Sequence, residues 1–311
     1  NRLQDLAAQR MGKEAALLVP SGTMANLASI LTHCGRGADV ILGNRAHTYK
    51  YEKGGISAYG GIHSTQTLNQ DDGTMRLEDI KAAIRAKDDH FPVTSLICLE
   101  NTHNVCGGAP LSVAYTKEVA NLARAHNIKL HIDGARIFNA AVAQGVDVQE
   151  LVEDADSVSF CMSKGLGAPV GSVICGSKDY IEEARGNRKG LGGGMRQAGI
   201  IAAAGIVALE TMVDRLQEDH TNARLLAEGI ADLPDVILDP ETIKTNIIYF
   251  DLEDSAMESA DFLTVLAAKG IQFFDTGPRR FRMVTHNDIS AEDVLYTIES
   301  FKSTLTTDSA P

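Results

Sequence analysis

The sequence predicts an α/β fold: a large domain with a mostly parallel central sheet covered by helices, then a smaller α+β C-terminal domain. Three observations carry this. Apolar runs such as Leu96-Ile97-Cys98-Leu99 lack strict alternation, as strands covered on both faces do. Stretches of helical spacing separate those runs, the pattern of parallel strand–helix–strand units. The length, 311 residues, exceeds the usual ~100–200 of one domain, so a second, smaller domain is expected.

Leu3–Met11 reads as a helix and Ala15–Val19 as a short strand. Pro20-Ser21-Gly22-Thr23 breaks the pattern, and helical spacing resumes at Met24, Leu27, Ile30 and Leu31, with Ser21 or Thr23 as the cap. Strands are expected at Asp39–Leu42 and Ser64–Leu68, and a helix at Arg76–Ala86. Then come strand Thr94–Glu100, helix Ala114–His126, strand Lys129–Asp133, short helix Val148–Val152, and strands Ser157–Met162 and Ser172–Cys175. Met195–Leu209 is a small-residue-rich helix suited to close packing, and helical spacing continues through Val213, Leu216 and Leu225 to Ile230. The domain division is expected within 210–235, inside a helix, and is placed between 1–215 and 216–311. The smaller domain holds strands near Asn246–Asp251, Gln272–Phe274 and Phe281–Val284, and helices at Ala260–Lys269 and Ala291–Phe301.

Composition narrows the function. Asp and Glu number 41 against 29 Lys and Arg, a formal charge of -12, so no nucleic-acid or anionic-lipid partner is expected. No apolar stretch approaches the ~18 residues of a membrane span, and the first residues do not read as a signal peptide. Five scattered cysteines without a CxxC pair read as free thiols of a reducing, cytoplasmic compartment.

Four motifs fall at predicted strand ends or helix starts. Lys164, in Ser163-Lys164-Gly165-Leu166-Gly167, follows a strand, so it is either a surface lysine or an amine for a Schiff base over the sheet edge. Asp133, in His131-Ile132-Asp133-Gly134-Ala135-Arg136, either pairs with Arg136 or holds a protonated ring nitrogen while Arg136 binds a carboxylate. Ser21-Gly22-Thr23 opens a helix, as a plain cap or as an anion site for one phosphate. Lys189-Gly190-Leu191-Gly192-Gly193-Gly194-Met195-Arg196 is a flexible loop or a local anion pocket. His47 and His103 also follow strands, as polar loop residues or as a stacking group and a proton relay. No HExxH or close His/Cys/Asp spacing points to a metal. A phosphate cradle, a carboxylate for a ring nitrogen, a Schiff-base lysine and a stacking group are together what pyridoxal 5'-phosphate requires.

The chain resembles the low-specificity L-threonine aldolases, including the L-allo-threonine aldolase kind, which are fold-type-I pyridoxal-phosphate enzymes. The resemblance rests on Gly12–Ala16, Pro20–Met24, Glu100–Asn104, His131–Asn139, Cys161–Ser172, Gly192–Gly199 and Arg282–His286, blocks spread over nearly the whole chain. It implies retro-aldol cleavage of L-threonine, L-allo-threonine and other β-hydroxy-α-amino acids to glycine and an aldehyde, chiefly acetaldehyde. It implies that Lys164 binds the cofactor aldehyde, Asp133 pairs with the pyridine nitrogen, and His47 stacks on the ring and is a candidate base. By the same resemblance His103 lies near the substrate hydroxyl, and Arg136 and Arg282 grip its carboxylate. Ser21, Gly22 and Thr23 hold the phosphate, with Lys189 and Arg196 reaching from a neighbouring subunit of a dimer or tetramer whose sites lie at the interface. The family's opening Leu-Arg-Ser-Asp-Thr motif, whose Ser contacts the substrate, is not in this sequence, which is read as starting after it. The rival expectations are another fold-type-I enzyme, an aminotransferase or β-eliminating lyase, and a non-catalytic structural subunit.

Overall fold

Seven short segments form one sheet in this computed structural model, which describes residues 1–254 and 257–306. They are β1 (Ala15–Val19), β2 (Asp39–Gly43), β3 (His63–Thr67), β4 (Thr94–Glu100), β5 (Lys129–Asp133), β6 (Ser157–Cys161) and β7 (Ser172–Gly176), in the order β1-β7-β6-β5-β4-β2-β3. β2 to β6 pair in parallel, and β7 runs antiparallel to both of its neighbours, β1 and β6. Every strand but β7 therefore ends on the same edge. β2, β6 and β7 are buried along their whole length, β2 and β7 around a run of three apolar residues and β6 with the small Ser157 and Ser159 among its buried residues. The edge strand β3, His-Ser-Thr-Gln-Thr, is mostly open to water, and its polar residues suit a sheet margin.

Ten helices accompany this sheet: α1 (Arg2–Arg10), α2 (Gly22–His33), α3 (His47–Lys50), α4 (Gly55–Gly60), α5 (Leu77–Ala83), α6 (Val113–Ala125), α7 (Ile137–Gln144), α8 (Val148–Val152), α9 (Lys178–Gly190) and α10 (Gly199–Thr211). Ser21 is the α2 cap, its hydroxyl accepting from the Met24 N–H at 3.2 Å. Ala25 and Ala28 of α2 pack with Leu17, Val19 and Ile174, while Ile30 packs with Val40, Leu42, Leu96 and Cys98. One helix thus crosses the sheet between two apolar clusters, which fixes where its first turn lies.

The helices α3, α4, α7 and α9 were not expected from the sequence. α7 is buried nearly all round, so it lacks an amphipathic period, whereas α9 buries only Ile181 and Ala184. The helix expected from Met195 begins at Gly199, because the chain after α9 turns through Gly192, which has φ +83. The long helix expected to run on to Ile230 is two helices, broken at 212–215 before α11 (Leu216–Ala231). Glu218 and Asp219 in the first turn of α11, both bonded by Arg215, mark a fresh helix start.

The chain divides into two units, one over Asn1–Asp214 and one from Arg215 onward. The second unit has an antiparallel sheet in the order β10-β11-β9-β8, made of β8 (Val236–Ile237), β9 (Ile247–Leu252), β10 (Phe274–Gly277) and β11 (Arg280–Val284), with α11, α12 (Ser259–Ala268) and α13 (Ala291–Leu305). The strand expected at Gln272 starts only at Phe274. Phe250, Phe262, Phe281 and Phe301 fill the core, their ring centroids 5.2 to 6.4 Å apart. All five cysteines are free. Among the described residues no helix is long and apolar enough to cross a membrane.

Candidate active site

The edge where the parallel strands end collects the polar groups. Glu100 and Asp133 are the last residues of β4 and β5 and stand in register as neighbours. His47 opens α3 just beyond β2, His103 follows β4, and Lys164 follows β6. β1 ends on this edge too, so the first turn of α2 starts here. Ligands of open α/β sheets bind at such an edge.

Asp133 is buried and held by two donors. Asn26 Nδ2 donates to its Oδ2 at 2.8 Å, and the Ala135 N–H donates to its Oδ1 at 3.1 Å. A carboxylate has about four acceptor positions, so two bonds leave room for a further N–H. Asn26 Nδ2 also donates to Glu52 Oε1 at 2.9 Å, and the Ser159 hydroxyl donates to Asn26 Oδ1 at 2.9 Å. Glu52 Oε1 in turn meets His47 Nδ1 at 2.9 Å. Atoms of His47, Glu52 and Asp133 lie within 4.8 Å of one another, a spacing that would also suit a cation. An amide N–H already occupies the position between the two carboxylates, so the cluster is wired by hydrogen bonds.

The charges shape one another. The hydrogen bond that His47 donates to Glu52 raises the His47 pKa against the opposing effect of burial, and Asp133 and Glu100 add to the rise. Burial raises Glu100 to about 7, with Asp133 adding to it, although the His47 and Asn104 N–H groups donate to its two oxygens at 2.6 and 2.8 Å. His103 is buried and, among the described residues, neither ring nitrogen makes a hydrogen bond; Glu100 Oε2 lies 3.9 Å from Nε2. Burial lowers its pKa to about 4, so the ring is neutral near pH 7.

Lys164 begins a tight turn closed by the Gly167 N–H on its carbonyl at 2.9 Å, with Gly167 at φ +70. The Cys161 thiol, raised by burial, is lowered by the charges of Lys164 and Arg136 and raised by that of Asp133. One sulfur therefore senses all three groups. Gly22 lies against the same residue: a Cβ there would stand 2.9 Å from Cys161 Sγ. The N–H groups of Gly22 and Thr23 have no intrahelical acceptor, as in any first turn. The glycine loop after α9 reaches this turn, since a Cβ on Gly193 would lie 2.2 Å from Met24 Sδ. Lys189 and Arg196 themselves are exposed and, among the described residues, make no hydrogen bond or ion pair with the Asp133 cluster. Arg136 caps α7 and is half-buried; Arg282 lies on β11 of the second unit.

Sequence reasoning missed Asn26, Glu52, Glu100 and Ser159. Two carried a signal: Asn26 interrupts an apolar helix, and Glu100 ends an apolar strand as Asp133 does. Glu52 sits in an irregular stretch with nothing periodic around it.

The sequence model of the Beta-eliminating lyase family matches residues 1–253. The protein described as low-specificity L-threonine aldolase 1 of Arabidopsis thaliana is 50% identical over 314 residues, covering 100% of this chain and 88% of that protein. The chain belongs to the low-specificity L-threonine aldolase family. Another member, the low specificity L-threonine aldolase of Escherichia coli K12, is 43% identical, with 94% of this chain and 85% of that protein covered. A solved threonine aldolase from Leishmania major superposes with a TM-score of 0.82 at 17% identity, covering 97% of this chain and 88% of that one, which bears on fold alone. The fold is of type I among pyridoxal-phosphate enzymes, a central sheet with a smaller α+β C-terminal part. The site fits the pyridoxal 5'-phosphate expected for this family. It offers a buried carboxylate with spare acceptor capacity, a half-buried lysine that follows the neighbouring strand β6, and a helix start where a Cβ would clash.

Proposed function

We propose that this protein is a pyridoxal 5'-phosphate-dependent aldehyde-lyase that cleaves L-threonine, L-allo-threonine and related β-hydroxy-α-amino acids to glycine and an aldehyde, chiefly acetaldehyde. One observation carries the reading most: a buried Asp133, fixed by Asn26 at 2.8 Å, ends β5 at the same sheet edge at which Lys164 follows β6.

When bound, the cofactor supplies an electron sink for the pair left by the broken Cα–Cβ bond. Lys164 would hold the cofactor through its aldehyde carbon, and Asp133 would keep the proton on the ring nitrogen. Ser21, Gly22 and Thr23 would bind the phosphate, joined by Lys189 and Arg196 of a neighbouring subunit. Arg136 receives the substrate carboxylate through its planar fork, and Arg282 carries the same assignment. Holding that carboxylate selects which bond at Cα is cleaved. The proton of the β-hydroxyl goes to one of the two imidazoles at the site, the half-exposed His47 or the buried, neutral His103.

Self-association into a dimer or tetramer is supported by α10, whose Ile200 is 87% and Val207 56% exposed on one stripe. Five unpaired thiols favour a reducing, cytoplasmic setting.

The test is product identity. Wild-type enzyme with L-threonine and with L-allo-threonine releases acetaldehyde and glycine in equal amounts, and Lys164→Ala releases none and loses the visible absorbance of bound cofactor. Ammonia and a keto acid in place of aldehyde would assign a β-elimination and refute the aldolase reading.

A further inference from the structure

We propose that Glu52 is a positioning residue: by accepting from His47 Nδ1 it fixes which ring nitrogen carries the proton, turns Nε2 outward, and ties the ring through Asn26 to Asp133. This rests on the reading of the site given above and assigns Glu52 and Asn26 within it.

The geometry leaves little freedom. Asn26 Nδ2 stands 2.9 Å from Glu52 Oε1 and 2.8 Å from Asp133 Oδ2. Turning that amide over would set its oxygen against two carboxylate oxygens, so Nδ2 is the donor to both. The Ser159 hydroxyl then donates to Asn26 Oδ1 at 2.9 Å, which locks the orientation from the other side. With Glu52 Oε1 an acceptor toward Asn26, its remaining contact, at 2.9 Å, takes the proton on His47 Nδ1. Glu52 and Asn26 are 5% and 2% exposed, so water does not compete for these bonds. The imidazole is only partly covered, its side chain 31% exposed. Nδ1 and Nε2 lie on opposite sides of the ring, so fixing one aims the other. A carboxylate behind a histidine sets tautomer, plane and basicity in this way wherever the ring must act with its far nitrogen.

The groups that face His47 are Glu52 across the hydrogen bond, Asp133 at the end of β5, and Glu100 at the end of β4, which accepts the His47 backbone N–H. On its own helix Lys50 lies over the Tyr51 ring, which packs 5.6 Å from the imidazole. Glu52→Gln leaves Asp133 and Glu100 in place. It keeps an oxygen to accept from Nδ1 and from Asn26, removes the charge, and places an NH2 where the second carboxylate oxygen stood.

The experiment is nitrogen-15 NMR of the histidine-labelled holoenzyme across pH, alongside kcat and KM for threonine. Wild-type neutral His47 is expected as the Nδ1–H tautomer. Glu52→Gln moves the His47 titration and the kcat–pH profile together to lower pH. It lowers kcat about 10- to 100-fold while KM stays within about threefold. Glu52→Asp, which restores the charge, brings the titration back toward wild type. A wild-type Nε2–H tautomer overturns the proposal without any variant having to fold. So does a Glu52→Gln titration that coincides with wild type. Either failure is separable from failure of the functional reading, which shows as a wild-type enzyme that releases no aldehyde.

Discussion

Asn26→Asp isolates the electrostatics of the buried cluster, because the two side chains have nearly the same shape. Asn26 is 2% exposed and its amide serves Glu52 and Asp133 at 2.9 and 2.8 Å. The substitution replaces that double donor with a third carboxyl. Three carboxylates cannot all ionise in contact, so the folded cluster takes up a proton, whichever carboxyl bears it. That proton gives one O–H donor where two N–H donors stood. One charge-assisted bond is lost, about 1.5–3 kcal/mol. The unfolded carboxyl titrates near ~3.9, so holding the proton in the folded state costs about 1.4 kcal/mol for each pH unit above that, or about 3 kcal/mol at pH 6. The sum at pH 6 is about 4.5–6 kcal/mol. The folded state binds the extra proton, so stability falls as pH rises, through the window between the unfolded value and the raised folded one. From pH 6 to pH 8 the loss grows by up to about 2.7 kcal/mol, or roughly 5–11 °C in Tm for a unit of this size. Thermal unfolding of variant and wild type at both pH values checks it. A Tm difference that is the same at pH 6 and pH 8 would refute the assignment of Asn26 as shared donor to two carboxylates.

Three further outcomes follow from the same geometry. Asp133→Asn keeps the shape but not the charge, so kcat drops at least about 10²-fold while bound cofactor is retained, read by turnover against cofactor occupancy. Unchanged turnover at full occupancy contradicts the role given to the carboxylate. Gly22→Ala forces a Cβ to within 2.9 Å of Cys161 Sγ, costing about 1–3 kcal/mol and weakening cofactor retention. Adding Cys161→Ala recovers most of that loss, and strict additivity of the two changes would mean the contact is not the cause. Ile200→Asp with Val207→Asp, on the exposed stripe of α10, lowers the mass measured by light scattering from an oligomer to a monomer. A mass equal to wild type places the interface elsewhere.

The sheet was legible because its strands obey a rule that acts locally. A strand covered on both faces favours a continuous apolar run, and β4 and β7 are written that way, whereas β5 and β6 interleave His131, Ser157 and Ser159 with apolar residues. Among the helices, a dry face against a wet one gave the plainest signal. α6, with Val119, Ala120 and Ala123 buried and charges opposite, could be read. α7, dry all round, and α9, with two buried residues, carried no such contrast. The long helix assumed between Met195 and Ile230 shows the complementary error. Apolar spacing runs through Met212 and Val213, but the acidic first turn at Glu218 and Asp219 with Arg215 before it announces a new start.

The chemistry follows a parallel logic at a different range. Asp133, His47, His103 and Lys164 could be singled out because each is a polar residue placed where a strand gives out, and parallel strands bring such ends together on one edge. What a sequence does not display is who holds them. Asn26 lies 107 residues from Asp133 and 133 from Ser159 along the chain, and Glu52 reaches His47 from a loop. Those partners are chosen by the crossing of α2 over the sheet, which packs its first half on β1 and β7 residues and its second on β2 and β4 residues. That crossing turns the one amide of an apolar helix toward two carboxylates. A buried carboxylate without such a donor would give up its charge. The reactive residues are therefore the legible part of this site, and the amide that bridges Asp133 and Glu52 is the part that only the packing of α2 reveals.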